Sequence, residues 1–205
     1  MKLVVGLGNP GRRYARTRHN VGVRLSERLR ERWRLAEVGE RFAGSFARGR
    51  VASLGDLDVG VLEPETFMNE SGASVAEALH KLPVEDPSRD LLIAFDDADL
   101  PFGRLRLRAE GGDGGHRGLA DVLARLGRRD VPRLRFGIGR PAVPMETADF
   151  VLAAFSPEEE TALAGHLDRA ALAVETFLLE GIGAAMNRFN AAPVRGGLGS
   201  AREPE

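Results

Sequence analysis

With 205 residues, 43% of them hydrophobic and 29% charged, the chain has ordinary globular composition and enough length to bury a core as one domain. It has no cysteine, which excludes disulfides and thiolate metal sites, and no apolar run approaches the ~18 residues of a membrane span; a soluble cytoplasmic protein without a secretory signal is expected. The formal net charge of −1 leaves a nucleic-acid partner open, because Arg12, Arg13, Arg16 and Arg18 crowd one stretch while Arg104, Arg106 and Arg108 alternate along another.

Leu3, Val4, Val5 and Leu7 predict a buried strand that breaks into the loop Gly6-Leu7-Gly8-Asn9-Pro10-Gly11. His19 and Asn20 then stand before a helix, because Val21, Leu25, Leu29 and Trp33 recur every fourth residue; this helix should end near Leu35. Residues 44–61 read as a hairpin about Gly55-Asp56, and residues 63–72 lead into a helix with Val75, Leu79 and Leu82 toward the core. After a polar connector, residues 91–95 form a second buried strand that terminates in Asp96-Asp97-Ala98-Asp99. Residues 101–108 return extended, and the glycine-rich loop 111–115 opens a helix whose first turn holds His116 and Arg117 and whose apolar face is Leu119, Val122, Leu123 and Leu126.

Residues 134–139 predict another strand, with Arg135 opposite the face of Leu134 and Phe136. Ser156-Pro157-Glu158-Glu159 is a helix start with a capping serine, a proline at the first position and a glutamate three residues after the cap; the helix runs to Gly181. Met186 and Phe189 suggest a short segment that packs back, and residues 191–205 read as a disordered tail after a domain of residues 1–190. Strands alternating with helices imply an α/β domain with helices on both sheet faces, and ligands of such sheets bind outside the carboxyl ends of parallel strands.

Several chemistries can be weighed on these loops. Gly6 to Gly11 matches G-x-G-x-x-G, but Pro10 and the arginines postpone the helix to about Asn20, and Glu27 and Glu31 fall inside it; dinucleotide binding is disfavoured. Asp96, Asp97 and Asp99 could gather a hard cation, yet no histidine adjoins them in sequence and a turn-forming acidic loop is the favoured explanation. There is no G-x-S-x-G elbow for a serine nucleophile. What remains is a histidine in a polar loop, a carboxylate at a neighbouring strand end and several asparagines. That set suits general-base hydrolysis, although a lone histidine before a helix is more often a surface or capping residue.

The motifs GLGNPG-x2-Y-x4-HN-x-G, TFMN-x-SG, D-x2-DLP-x-G, GG-x-GGH-x-GL, R-x-GIGRP and MN-x-FN, in this order from Lys2 to Asn190, resemble bacterial peptidyl-tRNA hydrolase. The resemblance implies a monomeric single-domain α/β fold with a mixed twisted sheet, no metal or other cofactor, and cleavage of the ester joining a peptide to the 3′ ribose of tRNA released from stalled translation. By the same resemblance, His19 is the general base, Asp96 its orienting partner, and Asn9 and Asn69 hold peptide and ester. Tyr14, Phe67, Met68, Asp99 and His116 line the cleft, and Arg106, Arg108 and Arg135 meet tRNA phosphates. The family often has asparagine where this chain has Arg117, which suggests a tRNA contact there. The alternative is a non-hydrolytic RNA-binding relative of the same fold, as found among plant intron-splicing factors.

Overall fold

The computed structural model describes residues 1–141 and 144–191. The expected tail, beyond its first residue, lies outside the described residues. Seven strands form one sheet: β1 (Lys2–Gly6), β2 (Glu37–Arg41), β3 (Gly44–Val51), β4 (Leu57–Pro64), β5 (Leu91–Asp97), β6 (Leu105–Arg108) and β7 (Arg133–Gly137). Their order is β2-β3-β4-β1-β5-β7-β6. The central four run parallel, β3 and β6 run antiparallel to them, and β2 pairs antiparallel with β3, so the sheet is mixed as expected.

Two apolar layers cover the sheet. On one face, Val4, Val61, Leu92 and Leu134 pack against α1 (Val21–Trp33), α6 (Pro157–Glu180) and α7 (Ile182–Phe189). On the other, Leu3, Val5, Leu62 and Ile93 pack against α2 (Ser71–Lys81) and α4 (Arg117–Leu126). Each fully buried Leu or Val stabilises the fold by about 1.5–3 kcal/mol relative to exposure, which makes the unbroken apolar runs of the central strands the dominant contribution. The arginines of α1 are not idle on its outer side: Arg24, Arg28 and Arg32, one turn apart, pair with Glu160, Asp168 and Glu175 of α6. α3 (Pro87–Asp90) and α5 (Thr147–Leu152) are short connectors.

Some expectations need correction. β2 lacks an apolar period, and it turns into β3 through Phe42 and Ala43, both at positive φ (58° and 49°), where Asn or Gly is the usual signal. β5 does not stop at Phe95: Asp96 and Asp97 are still registered against Phe136 and Gly137 of β7, so both carboxylates are strand residues. His116 is the cap of α4 instead of part of its first turn. The capping box at Ser156 and Glu159 forms as read.

Gly6 and Gly8 of the first loop serve packing, whereas Gly11, at φ 96°, serves the turn. A Cβ on Gly6 would lie 2.1 Å from Gly22 O, and one on Gly22 would lie 2.5 Å from Ala94 O and 2.6 Å from Leu7 O. Backbone therefore rests on backbone where α1 crosses β1 and β5. A 3-10 turn, Arg18–Asn20, precedes α1 and is drawn onto β5 and α5.

Candidate active site

The carboxyl ends of the four parallel strands meet in one place. β1 delivers Asn9, β4 leads to Met68 and Asn69, β5 ends in Asp96 and Asp97, and β7 leads to Arg140; these residues line a cleft of about 770 Å³.

His19 sits in the middle of the 3-10 turn, and its Nδ1 lies 2.7 Å from Asp96 Oδ1. The same oxygen is 3.0 Å from Nε2 of His116. Protons along this chain can be assigned from one backbone group: the Leu119 N–H donates to His116 Nδ1 at 3.1 Å, so that nitrogen is bare and Nε2 carries the hydrogen. His116 is thus a neutral donor to Asp96. A carboxylate accepts only, so Nδ1 of His19 also carries hydrogen and its Nε2 is the basic atom. Asp96 is 3% exposed; burial pushes its pKa up, but the hydrogen bonds from His116 and His19 outweigh this and hold it well below the usual carboxylate range.

The asparagines are equally directed. Asn20 grips the Asn9 backbone from both sides, its Oδ1 accepting from Asn9 N and its Nδ2 donating to Asn9 O, both at 2.9 Å. Asn9 Oδ1 accepts the Met68 N–H at 2.9 Å, which leaves Nδ2 as the donor this cleft residue can offer. Asn69 is exposed and lines the same cleft.

The cleft brings together Asn9, His19, Met68, Asn69, Asp96, Asp99, His116, Arg117 and Arg135. Tyr14 and Phe67 are not in its lining: Tyr14 is half-buried with Arg13 over its ring at 4.6 Å, and Phe67 is 53% exposed. Arg106 and Arg108 project from the exposed side of edge strand β6, where Arg106 stands opposite Arg135 and Arg108 opposite Arg133. Arg108, Arg133 and Arg135 line a second groove of about 310 Å³ beneath the glycine-rich loop.

Sequence reasoning missed two contributors. α5 supplies a wall of the cleft through Thr147, Phe150 and Val151, and its six residues are too few to show a helical period. Arg133 is 2% exposed and donates only to the carbonyls of Val131, Gly111, Gly112 and Arg129, so it fixes the glycine-rich loop that leads to His116. Burial lowers its pKa. Only the tertiary contacts with the loop reveal the role of that position.

His19, Asp96 and His116 also bring three potential ligand atoms within 4.8 Å of one another. Their polarity is that of hydrogen bonds: His116 Nδ1 is occupied by a backbone donor, and both near nitrogens point a hydrogen at one oxygen. The hard-cation arrangement of Asp96, Asp97 and Asp99 does not assemble, because Asp97 pairs with Arg135 and Asp99 with Arg140.

The sequence model of the peptidyl-tRNA hydrolase family matches residues 3–196. The chain is 48% identical over 190 residues to the peptidyl-tRNA hydrolase of Chloroflexus aggregans, covering 93% of this chain and 99% of that one. It is 49% identical over 189 residues to that of Symbiobacterium thermophilum, covering 92% and 98%. Among solved structures, the crystal structure of the peptidyl-tRNA hydrolase of Acinetobacter baumannii superposes with a TM-score of 0.81 at 35% identity, covering 93% of this chain and 95% of that one. With a match that spans the sheet, the helices and every loop of the cleft, the chain belongs to the peptidyl-tRNA hydrolase family.

Proposed function

We propose that the cleft hydrolyses the ester between a peptide and the 3′ ribose of tRNA, with water as nucleophile and His19 as general base. The observation that carries this reading is the shared Asp96 oxygen, which sets His19 Nε2 as the free basic atom. Nε2 takes a proton from water as the oxygen attacks the ester carbonyl; the tetrahedral intermediate collapses, and the proton passes from the imidazolium to the departing ribose oxygen. Asp96 stabilises the imidazolium formed between these steps. The products are the peptide acid and deacylated tRNA, and the scheme draws on no cofactor.

In this reading Asn9 Nδ2 and the Asn69 amide bind the scissile ester and the peptide backbone without adding charge, and Met68, Asp99 and His116 shape the cleft. Phe67, exposed beside Met68, and Tyr14 serve the substrate outside the cleft lining. Arg106, Arg108 and Arg135 receive backbone phosphates near the acceptor end; Arg106 and Arg135, like charges in direct cross-strand register, suit a polyanionic partner. Arg117, exposed at the start of α4, adds a further tRNA contact. The enzyme acts as a cytoplasmic monomer; among the described residues no helix is long and apolar enough to cross a membrane.

A single-turnover assay on an N-acylated aminoacyl-tRNA, with the free aminoacyl-tRNA alongside, tests the reaction. Cleavage of the blocked substrate that disappears in His19→Ala, with tRNA binding retained, is expected; full activity of His19→Ala would remove the assignment. Unchanged tRNA affinity in Arg117→Ala would remove the Arg117 contact. A non-hydrolytic RNA-binding role is disfavoured, because the relatives named above are hydrolases and the histidine–carboxylate pair is intact.

A further inference from the structure

Arg18 has no part in the scheme above, yet it is a charge taken almost wholly out of water, 8% exposed and immediately before His19. Its guanidinium lies 4.5 Å from the ring centre of Phe150 and 5.2 Å from that of Phe155. It donates to Glu159 Oε2 at 2.5 Å and to the carbonyl of Ala154. Its backbone N–H donates to Ala153 O at 3.0 Å, and Thr17 bridges Ala154. Every one of these partners belongs to the corner between α5 and α6.

That corner is itself held. Glu159 Oε2 also accepts the Ser156 N–H at 2.8 Å in the capping box of α6, and Phe150 faces the cleft on α5. The turn that carries His19 has little stability of its own: it is a three-residue 3-10 turn without a side-chain cap. Asn20 pins one flank of His19 to Asn9, and Arg18 pins the other to the α5–α6 corner. Desolvating a cation is costly, and an apolar side chain would fill the space between two phenylalanine rings without that cost. What the guanidinium adds is a planar fork that reaches a carboxylate and a carbonyl together.

We propose that Arg18 is a positioning residue for hydrolysis: it locks the His19 turn to the cleft wall built by α5, and so holds the base in line with Asp96. The inference rests on His19 being the base, but its first readout does not need activity. His19 and His116 each give a ring N–H proton on Asp96, observable by NMR at low field and assignable with His19→Asn and His116→Asn. In Arg18→Met, the His19 proton is expected to vanish into solvent exchange while the His116 proton persists, because only one of the two donors loses its support. Turnover should fall about 10–100-fold with KM changed little, and Arg18→Lys should recover part of it, keeping the charge but losing the fork. If Arg18→Met fails to fold, Glu159→Ala removes the fork's carboxylate acceptor and gives the same two readouts. Loss of both protons together would mean a general packing role, and retention of both, at any turnover, would mean that the turn stands without Arg18; either result overturns the proposal. An active His19→Asn would instead remove the base assignment.

Discussion

His19 Nδ1 and Asp96 Oδ1, from residues 77 positions apart, meet at 2.7 Å, and the direction of that bond is set on α4. The Leu119 N–H occupies one nitrogen of His116, which makes the other a donor to Asp96. The carboxylate therefore receives two hydrogens on one oxygen, and the histidine nearer the cleft is left with a bare Nε2. A helix cap and the proposed base are linked through a single buried oxygen.

Replacing His19 by asparagine should lower kcat by about 10²–10⁴-fold and leave KM for N-acylated aminoacyl-tRNA within a few-fold, because the group lost is the one proposed to act on the water. Steady-state and single-turnover rates check this; an equal rise in KM would place His19 in binding instead.

The Asp96→Asn variant should lose a similar factor in the chemical step, since an amide does not stabilise the imidazolium. In the native protein the folded Asp96 titrates below its unfolded value, so its stabilising contribution is complete above the ordinary carboxylate pKa and is lost as pH falls. Denaturation midpoints of the two proteins should accordingly converge in acid.

His116→Ala removes both a cap of α4 and one donor to Asp96. A stability loss of about 1 kcal/mol is expected from the cap alone, with a smaller rate loss than in His19→Asn. Urea denaturation alongside single-turnover rates separates the two effects.

Asp90 gives an acid-stability test far from the cleft. Burial pushes its pKa up, but hydrogen bonds from Arg89, from Lys2 at 2.8 Å and from the Asp86 N–H prevail and lower it to about 2. The pair with Lys2 ties the start of β1 to the start of β5. The difference corresponds to about 2 kcal/mol, present above pH ~4 and lost as pH falls through about 2. Asp90→Asn should be less stable by about this amount at neutral pH and show a flatter acid limb in denaturation.

Gly22→Ala improves helix propensity on paper and should still destabilise by about 1–3 kcal/mol or more, because the new Cβ meets Ala94 O and Leu7 O. Thermal melting checks the sign. A stabilised variant would show that α1 does not depend on this close approach.

Much of the fold was legible in the chain. The runs Leu3–Val5 and Leu91–Phe95, the four-residue spacing of Val21 to Trp33 and the Ser156 box are local signals, and each formed where it was read. β2 and α5 were not legible: one is a polar edge strand with an atypical turn, the other a helix of six residues, and both owe their conformation to neighbours. Within the site, the motif resemblance pointed to His19, Asp96 and His116, but neither periodicity nor composition could say that two histidines share one oxygen.

The sequence by itself determined the central strands, the longer helices and which polar residues stand at their ends, because apolar periodicity, turn chemistry and caps act over a few residues. Only the tertiary structure decided that Gly6 and Gly8 are where the first loop packs on α1 and its entry, that the crowd of arginines divides into one buried anchor at Arg18 and others left in solvent, and that Asp96 serves His19 and His116 together. The reason is physical: these outcomes depend on which backbones come within a few ångströms of each other, and that is settled by the register of β1, β5 and β7 and the crossing of α1, not by any local stretch of chain.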